Sequence, residues 1–130
     1  GSSFLLMELA RQDLIKIYAN QYVLDEAERN LLLKSPEHLP NYYLLLSTVP
    51  VEITSSRILV EVLRRYKSIV SASDVLVLTG AELSGAQYLV SLDKRDIVNE
   101  KLRKQRLPFI PILPGELLKI IRDKYAAAGS

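Results

Sequence analysis

The chain has no cysteine and no tryptophan, and only one methionine and one histidine, His38, among its 130 residues. Without thiols there are no disulfides, thiolate zinc sites, iron–sulfur clusters or cysteine nucleophiles. A lone histidine excludes a histidine-rich metal cluster and argues against a Ser-His-Asp triad. No apolar run approaches the ~18 residues of a membrane span, and no signal-peptide pattern opens the chain, so the expected location is cytoplasmic. A one-signed charge is missing too: 17 Lys and Arg stand against 15 Asp and Glu, a formal +2. Catalysis, if present, must rest on carboxylates.

The length is that of one domain, and folding at this size buries about two-thirds of the surface the unfolded chain exposes. A 48% hydrophobic and 25% charged composition is that of an ordinary globular protein rather than a disordered one. Residues 1–65 carry 7 basic and 8 acidic side chains, whereas residues 66–130 carry 10 and 7. The excess gathers in 94–106, where Lys94, Arg95, Lys101, Arg103, Lys104 and Arg106 face only Asp96 and Glu100. Such a stretch suits phosphate binding, and equally suits a solvated helix face. Gly1-Ser2 and residues 126–130 read as appendages, leaving one domain over 1–125.

Periodicity predicts a helix over Phe4–Arg11 and a strand over Leu14–Ala19. Asn20 is placed to cap a following helix whose apolar face is Val23, Ala27 and Leu31. Pro36 and Pro40 bracket a break, with a further helix over Asn41–Ser47 and a strand over Val49–Thr54. Ser55 or Ser56 caps a helix to Arg65 with Ile58, Leu59, Val62 and Leu63 as its stripe. Residues 73–84 read as a helix opened by Ser71-x-x-Asp74 and stopped by Gly85; interior Gly80 costs about 1 kcal/mol. Strands over Tyr88–Leu92 and Phe109–Leu113, a basic helix over 97–105 and a last helix started by Pro114 complete the pattern. Alternating strands and helices predict an α/β fold, a parallel sheet with helices on both faces. In that architecture the working site lies beyond the carboxyl ends of the strands.

Three acids stand out by position. Asp93 follows a predicted strand, Glu26 and Asn30 edge the apolar face of a helix, and Asp74 sits in a first helical turn. Each has a structural alternative. Asp74 complements its own helix N-terminus, Asp93 forms a turn, and Glu26 pairs with Arg29 or Asn30. Acids that converge without histidine or cysteine suit a hard cation such as Mg²⁺ or Mn²⁺.

The stretch Gly85-Ala86-Gln87-Tyr88-Leu89-Val90-Ser91-Leu92-Asp93-Lys94-Arg95-Asp96 resembles the PIN-domain family of metal-dependent ribonucleases. So do Asp74 opening a helix, the helix from Tyr22 to Leu31 with Glu26, and FIPILPGELLKII near the end, in the family's order from about Phe4 to Ile121. The likeness is closest to the branch of toxin components of toxin–antitoxin systems. It implies a three-layer, parallel-sheet fold and a metal-dependent endoribonuclease. Glu26, Asp74 and Asp93 would be catalytic metal ligands, with Asp96 a further one, and Ser91 and Asn30 would orient the carboxylates. Mg²⁺ or Mn²⁺ would be the cofactor, RNA the substrate, with Lys94, Arg95, Lys101, Arg103, Lys104 and Arg106 on its phosphates. An antitoxin protein would be the inhibiting partner.

One departure stands against the pattern. The family's first strand, ending in an Asp, precedes the helix that begins here near Phe4, and this sequence lacks it. The expectations are strand exchange in a homodimer, a rearranged sheet, or a strand from residues outside this sequence. The rival reading is a catalytically degenerate PIN-like module that binds RNA or protein. A generic nucleotide-binding domain is disfavoured because no Gly-rich loop follows any strand.

Overall fold

The computed structural model describes residues 1–54 and 60–128. Helix α1 (Ser2–Arg11) leads into strand β1 (Ile17–Asn20) and helix α2 (Gln21–Lys34). A 3₁₀ turn (Pro36–His38) and helix α3 (Leu39–Thr48) precede strand β2 (Val51–Thr54). Helices α4 (Val60–Lys67) and α5 (Ala72–Ser84) follow, then β3 (Tyr88–Val90), the single-turn α6 (Glu100–Arg103), β4 (Ile110–Ile112) and α7 (Pro114–Ala128). The architecture is α/β with parallel strands, as the alternation of elements predicts. Among the described residues the single continuous sheet is not formed. β1 pairs with β2 and β3 with β4, as two separate two-stranded parallel sheets.

Several boundaries differ from expectation for local reasons. Pro40 does not break the chain; it lies in the first turn of α3, where its missing N–H has no intrahelical partner to lose. The expected basic helix over 97–105 shrinks to α6, because Ile97 and Val98 are buried in a turn ahead of it. Asn99 then caps α6, accepting from the Leu102 N–H at 2.8 Å. Ser2 is the first residue of α1, and Ala126–Ala128 form the last turn of α7. Ser55, Ser56, Ile58 and Leu59, expected to start and line a helix, lie outside the described residues.

Among the described residues two apolar cores hold the fold. The larger gathers Val62 and Tyr66 of α4, Val75 and Leu78 of α5, and Ile97, Val98, Leu102 and Phe109. Tyr66 is fully buried, and its hydroxyl donates to Glu82 on α5 at 3.0 Å, where Arg65 also donates at 2.6 Å. Burial first, and then the Glu82 carboxylate, push the Tyr66 hydroxyl far above the usual tyrosine range. It stays a neutral donor and ties α4 to α5. The smaller core joins Leu6 of α1, Ile112 of β4 and Leu117 of α7. Helices α2 and α3 bury no residue completely, and Val23, expected on an inward face, is exposed.

The element that positions the site is α5, which packs against α4, β1, α2 and β3. Its start carries Asp74 and its end is closed by Gly85, whose φ of 72° is in the left-handed region open to glycine. The interior Gly80 has a tertiary reason. A Cβ there would strike the amide Nδ2 of Asn20 and sit 3.0 Å from its Cγ. Asn20 is buried; its Oδ1 accepts from the Val23 N–H at 2.8 Å and caps α2, while its Nδ2 donates to the Leu76 carbonyl at 3.2 Å. The helix-propensity loss at Gly80 is the condition for that approach.

Gly80→Ala is expected to destabilise the chain by about 1–2 kcal/mol, overpacking outweighing the helix-propensity gain. In an Asn20→Ala background the same change should be neutral or stabilising. Urea denaturation of the four chains in the cycle checks this; additive effects would contradict it.

Candidate carboxylate cleft and basic rim

The turn between α4 and α5 (residues 68–71), the first turn of α5, the turn after β3 and the start of α6 line a cleft of about 340 Å³. Its walls bring Asp74 and Asp96 together with Arg95, Asn99 and Lys101, and Ser71 stands beside Asp74. Two of the expected acids and two of the expected basic residues therefore share one concavity.

The Asp74 Oδ2 accepts from the Ser71 hydroxyl at 2.8 Å, and its N–H donates to the Ser71 carbonyl at 3.0 Å. Ser71 thus orients the carboxylate, whereas a capping box would have it accept from the backbone. Asp93 heads the turn after β3. Its Oδ1 accepts from the Asp96 N–H at 2.9 Å and its carbonyl from the N–H groups of Ile97 and Val98. Ser91 accepts from the Asp93 N–H at 3.0 Å, so it positions that residue through the backbone. The turn-forming role anticipated for Asp93 is present, and it fixes Asp96 three residues on, at the cleft. Asp93 itself is not on the cleft wall.

Glu26 is half-buried on α2, and its near neighbour is Tyr22, one helical turn earlier. The Tyr22 hydroxyl is held above its ordinary range, first by its hydrogen bond to the Glu26 carboxylate. Partial burial and the charges of Glu26 and Asp74 add to that, against Arg29. Tyr22 therefore stands within the field of both acids. Sequence reasoning does not single it out, although the Tyr22/Glu26 spacing of one turn is a signal it carries. Asn30 lies exposed on the second half of α2.

The donors are oxygens, with no thiol or imidazole nearby, which is the chemistry a hard divalent cation selects. Among the described residues, no three acidic or histidine side chains are gathered closely enough to hold one ion. In kind the residues fit Mg²⁺ or Mn²⁺; in number, the cleft itself presents two.

The basic stretch divides. Lys94, Arg95, Lys101, Lys104 and Arg106 are exposed, and Arg95 and Lys101 rim the cleft. Arg103 is committed elsewhere: its Nε donates to the Pro111 carbonyl at 3.1 Å and its Nη2 to Glu116 at 2.8 Å. Glu116 also accepts from the Leu113 N–H at 3.0 Å, so this pair joins α6, β4 and the start of α7. The Leu113 N–H, then Arg103, hold the Glu116 carboxyl below its usual range, with Lys94 adding a smaller pull.

A carboxyl lowered in the folded state stabilises above its unfolded pKa, and that contribution is lost as pH falls through the folded value. Glu116→Gln should therefore melt below the parent at neutral pH, with the gap closing below about pH 4. Thermal melts across pH check this; a gap unchanged by acid would contradict it.

Among the described residues no helix is long and apolar enough to cross a membrane. Comparison with family models, curated proteins and solved structures finds no match to this chain.

Proposed function

We propose that the chain is a PIN-type, metal-dependent endoribonuclease domain. The observation that carries the reading is the cleft in which Asp74 and Asp96 stand beside Arg95 and Lys101. Asp74 and Asp96 would supply the cleft's two carboxylates to a Mg²⁺ or Mn²⁺ ion, and Glu26 and Asp93, which lie outside the cleft wall, would have to close on it to complete the site. When bound, such an ion supplies an activated water and charge stabilisation at the leaving oxygen. The chain's own residues do the rest. Arg95 and Lys101 attract the RNA backbone to the rim, joined by Lys94, Lys104 and Arg106 outside it. Ser71 and the turn at Asp93 hold their carboxylates in place by the hydrogen bonds described above. Tyr22, one helical turn before Glu26, would donate to its carboxylate and steady it. A toxin-like role, restrained by an antitoxin protein, and a homodimer belong to the same proposal.

A second reading, an RNA-binding module without catalysis, is favoured by one feature. The carboxylates of Asp74 and Asp93 are both engaged in local hydrogen bonds. Metal dependence separates the two. Under the nuclease reading, single-stranded RNA is cleaved with Mn²⁺ and not with chelator, and Asp74→Asn slows cleavage on the order of a hundredfold or more. Binding without cleavage, indifferent to chelator, would replace it by the module.

The charge assignment has its own test. Lys101→Glu with Lys104→Glu should weaken RNA binding across sequences. The slope of log affinity against log salt should flatten by about 0.7 for each RNA phosphate no longer neutralised. An unchanged slope would return these residues to the solvated surface. Arg103→Gln should instead lower the melting temperature, since its partners are Pro111 and Glu116.

A further inference from the structure

Helix α6 is a single turn, too short to sustain its own shape, yet it carries Lys101 on the cleft rim and follows Asn99 on the cleft wall. Its placement is therefore set by what grips its two ends. At the start, the Asn99 side chain works in both directions. Its Oδ1 accepts from the Leu102 N–H at 2.8 Å, and its Nδ2 donates to the Arg95 carbonyl at 2.8 Å. The turn that carries Arg95 and Asp96 is thereby tied to the helix. Buried Leu102 roots the same turn of helix in the larger core.

The other end is gripped by Arg103. Its Nε donates to the Pro111 carbonyl and its Nη2 to Glu116, so one planar guanidinium is held at two of its nitrogens. Both acceptors are themselves fixed. Pro111 is fully buried in β4, and Glu116 also accepts from the Leu113 N–H across the first turn of α7. The pair is part-exposed, with 32% and 44% of the two side chains open to solvent, so its contribution to stability is modest. Its contribution to direction is larger. Residues two apart on a helix stand about 200° apart around its axis. Arg103 turned toward β4 and α7 therefore leaves Lys101 on the opposite side, where the cleft lies.

We infer that Glu116, which lies outside the cleft, is a positioning residue for it: through Arg103 it sets the roll of α6, and with it the place of Lys101 and, through Asn99, of Arg95. The inference rests on the reading of these two cations as RNA contacts. Neither Glu116 nor Arg103 need touch RNA for the pair to govern its binding. Charge alone predicts the opposite sign. Glu116 is a negative group within the field of Lys94, and removing it would favour an RNA phosphate nearby.

The experiment compares the full chain with Glu116→Gln and Arg103→Lys, at a temperature where melts show all three folded. Arg103→Lys keeps the charge and loses the two-point grip. Without RNA, amide exchange at Leu102, Arg103 and Lys104, whose N–H groups are bonded within α6 and its cap, should quicken about tenfold in both variants. Amides of β1 and β2 should keep the parent's rates. Unchanged exchange in α6, or faster exchange throughout the chain, would overturn the inference. Binding of a mixed-sequence single-stranded RNA is then measured in chelator, so that no cleavage intervenes. Both variants should bind about three- to tenfold more weakly than the parent. Glu116→Gln binding as tightly as the parent or tighter, or Arg103→Lys matching it, would overturn the inference and leave the RNA reading standing. A parent chain that binds no RNA would overturn that reading and the inference together.

Discussion

The buried amide of Asn20 set against the bare backbone of Gly80 is the contact on which the placement of the candidate site depends. One side chain ends β1, caps α2 through the Val23 N–H and reaches the Leu76 carbonyl on α5. A cap of this kind contributes about 1 kcal/mol, and a partly buried hydrogen bond contributes about as much again. Its greater consequence is geometric. Helix α2 starts at a fixed height on α5, and Tyr22, in its first turn, stands within the field of Asp74. A larger residue at position 80 would strike the Asn20 side chain and disturb the start of α2.

The second organising element is the turn between β3 and α6. Asp93 holds it closed by accepting from the Asp96 N–H, and Ile97 and Val98 anchor it in the larger core. A charged, exposed segment is thereby tethered by two buried aliphatic residues. That combination sets Arg95, Asp96 and Lys101 opposite Asp74 without a long helix to carry them. Basic and acidic side chains meet in one cleft because one wall comes from this turn and the start of α6 and the other from the α4–α5 turn and the start of α5.

Local chemistry makes much of this legible in the sequence. The Asn20 cap, the stop at Gly85, the proline start of α7 and the alternation of strands and helices all depend on neighbours within a few residues. The remainder depends on distant partners. Gly80 reads as a weak point in a helix until Asn20, far away in the chain, is seen against it. Arg103 reads as one more basic residue until Glu116 and the Pro111 carbonyl claim it. Residues 97–105 have a helical pattern, and burial of Ile97 and Val98 overrides it. The division into two sheets likewise follows from which strands find a partner, and pairing is a property of the whole chain.

The nuclease proposal turns on whether Glu26, Asp74 and the Asp93–Asp96 turn serve a single divalent ion. Titrating the chain with Mn²⁺ and following paramagnetic broadening of its backbone amides tests this without reference to any substrate. With one shared ion, amides around Tyr22–Glu26, Ser71–Asp74 and Asp93–Asp96 broaden together at one Mn²⁺ per chain, and Mg²⁺ displaces the effect. Broadening confined to one of these three segments, or centred on acids elsewhere in the chain, would contradict it.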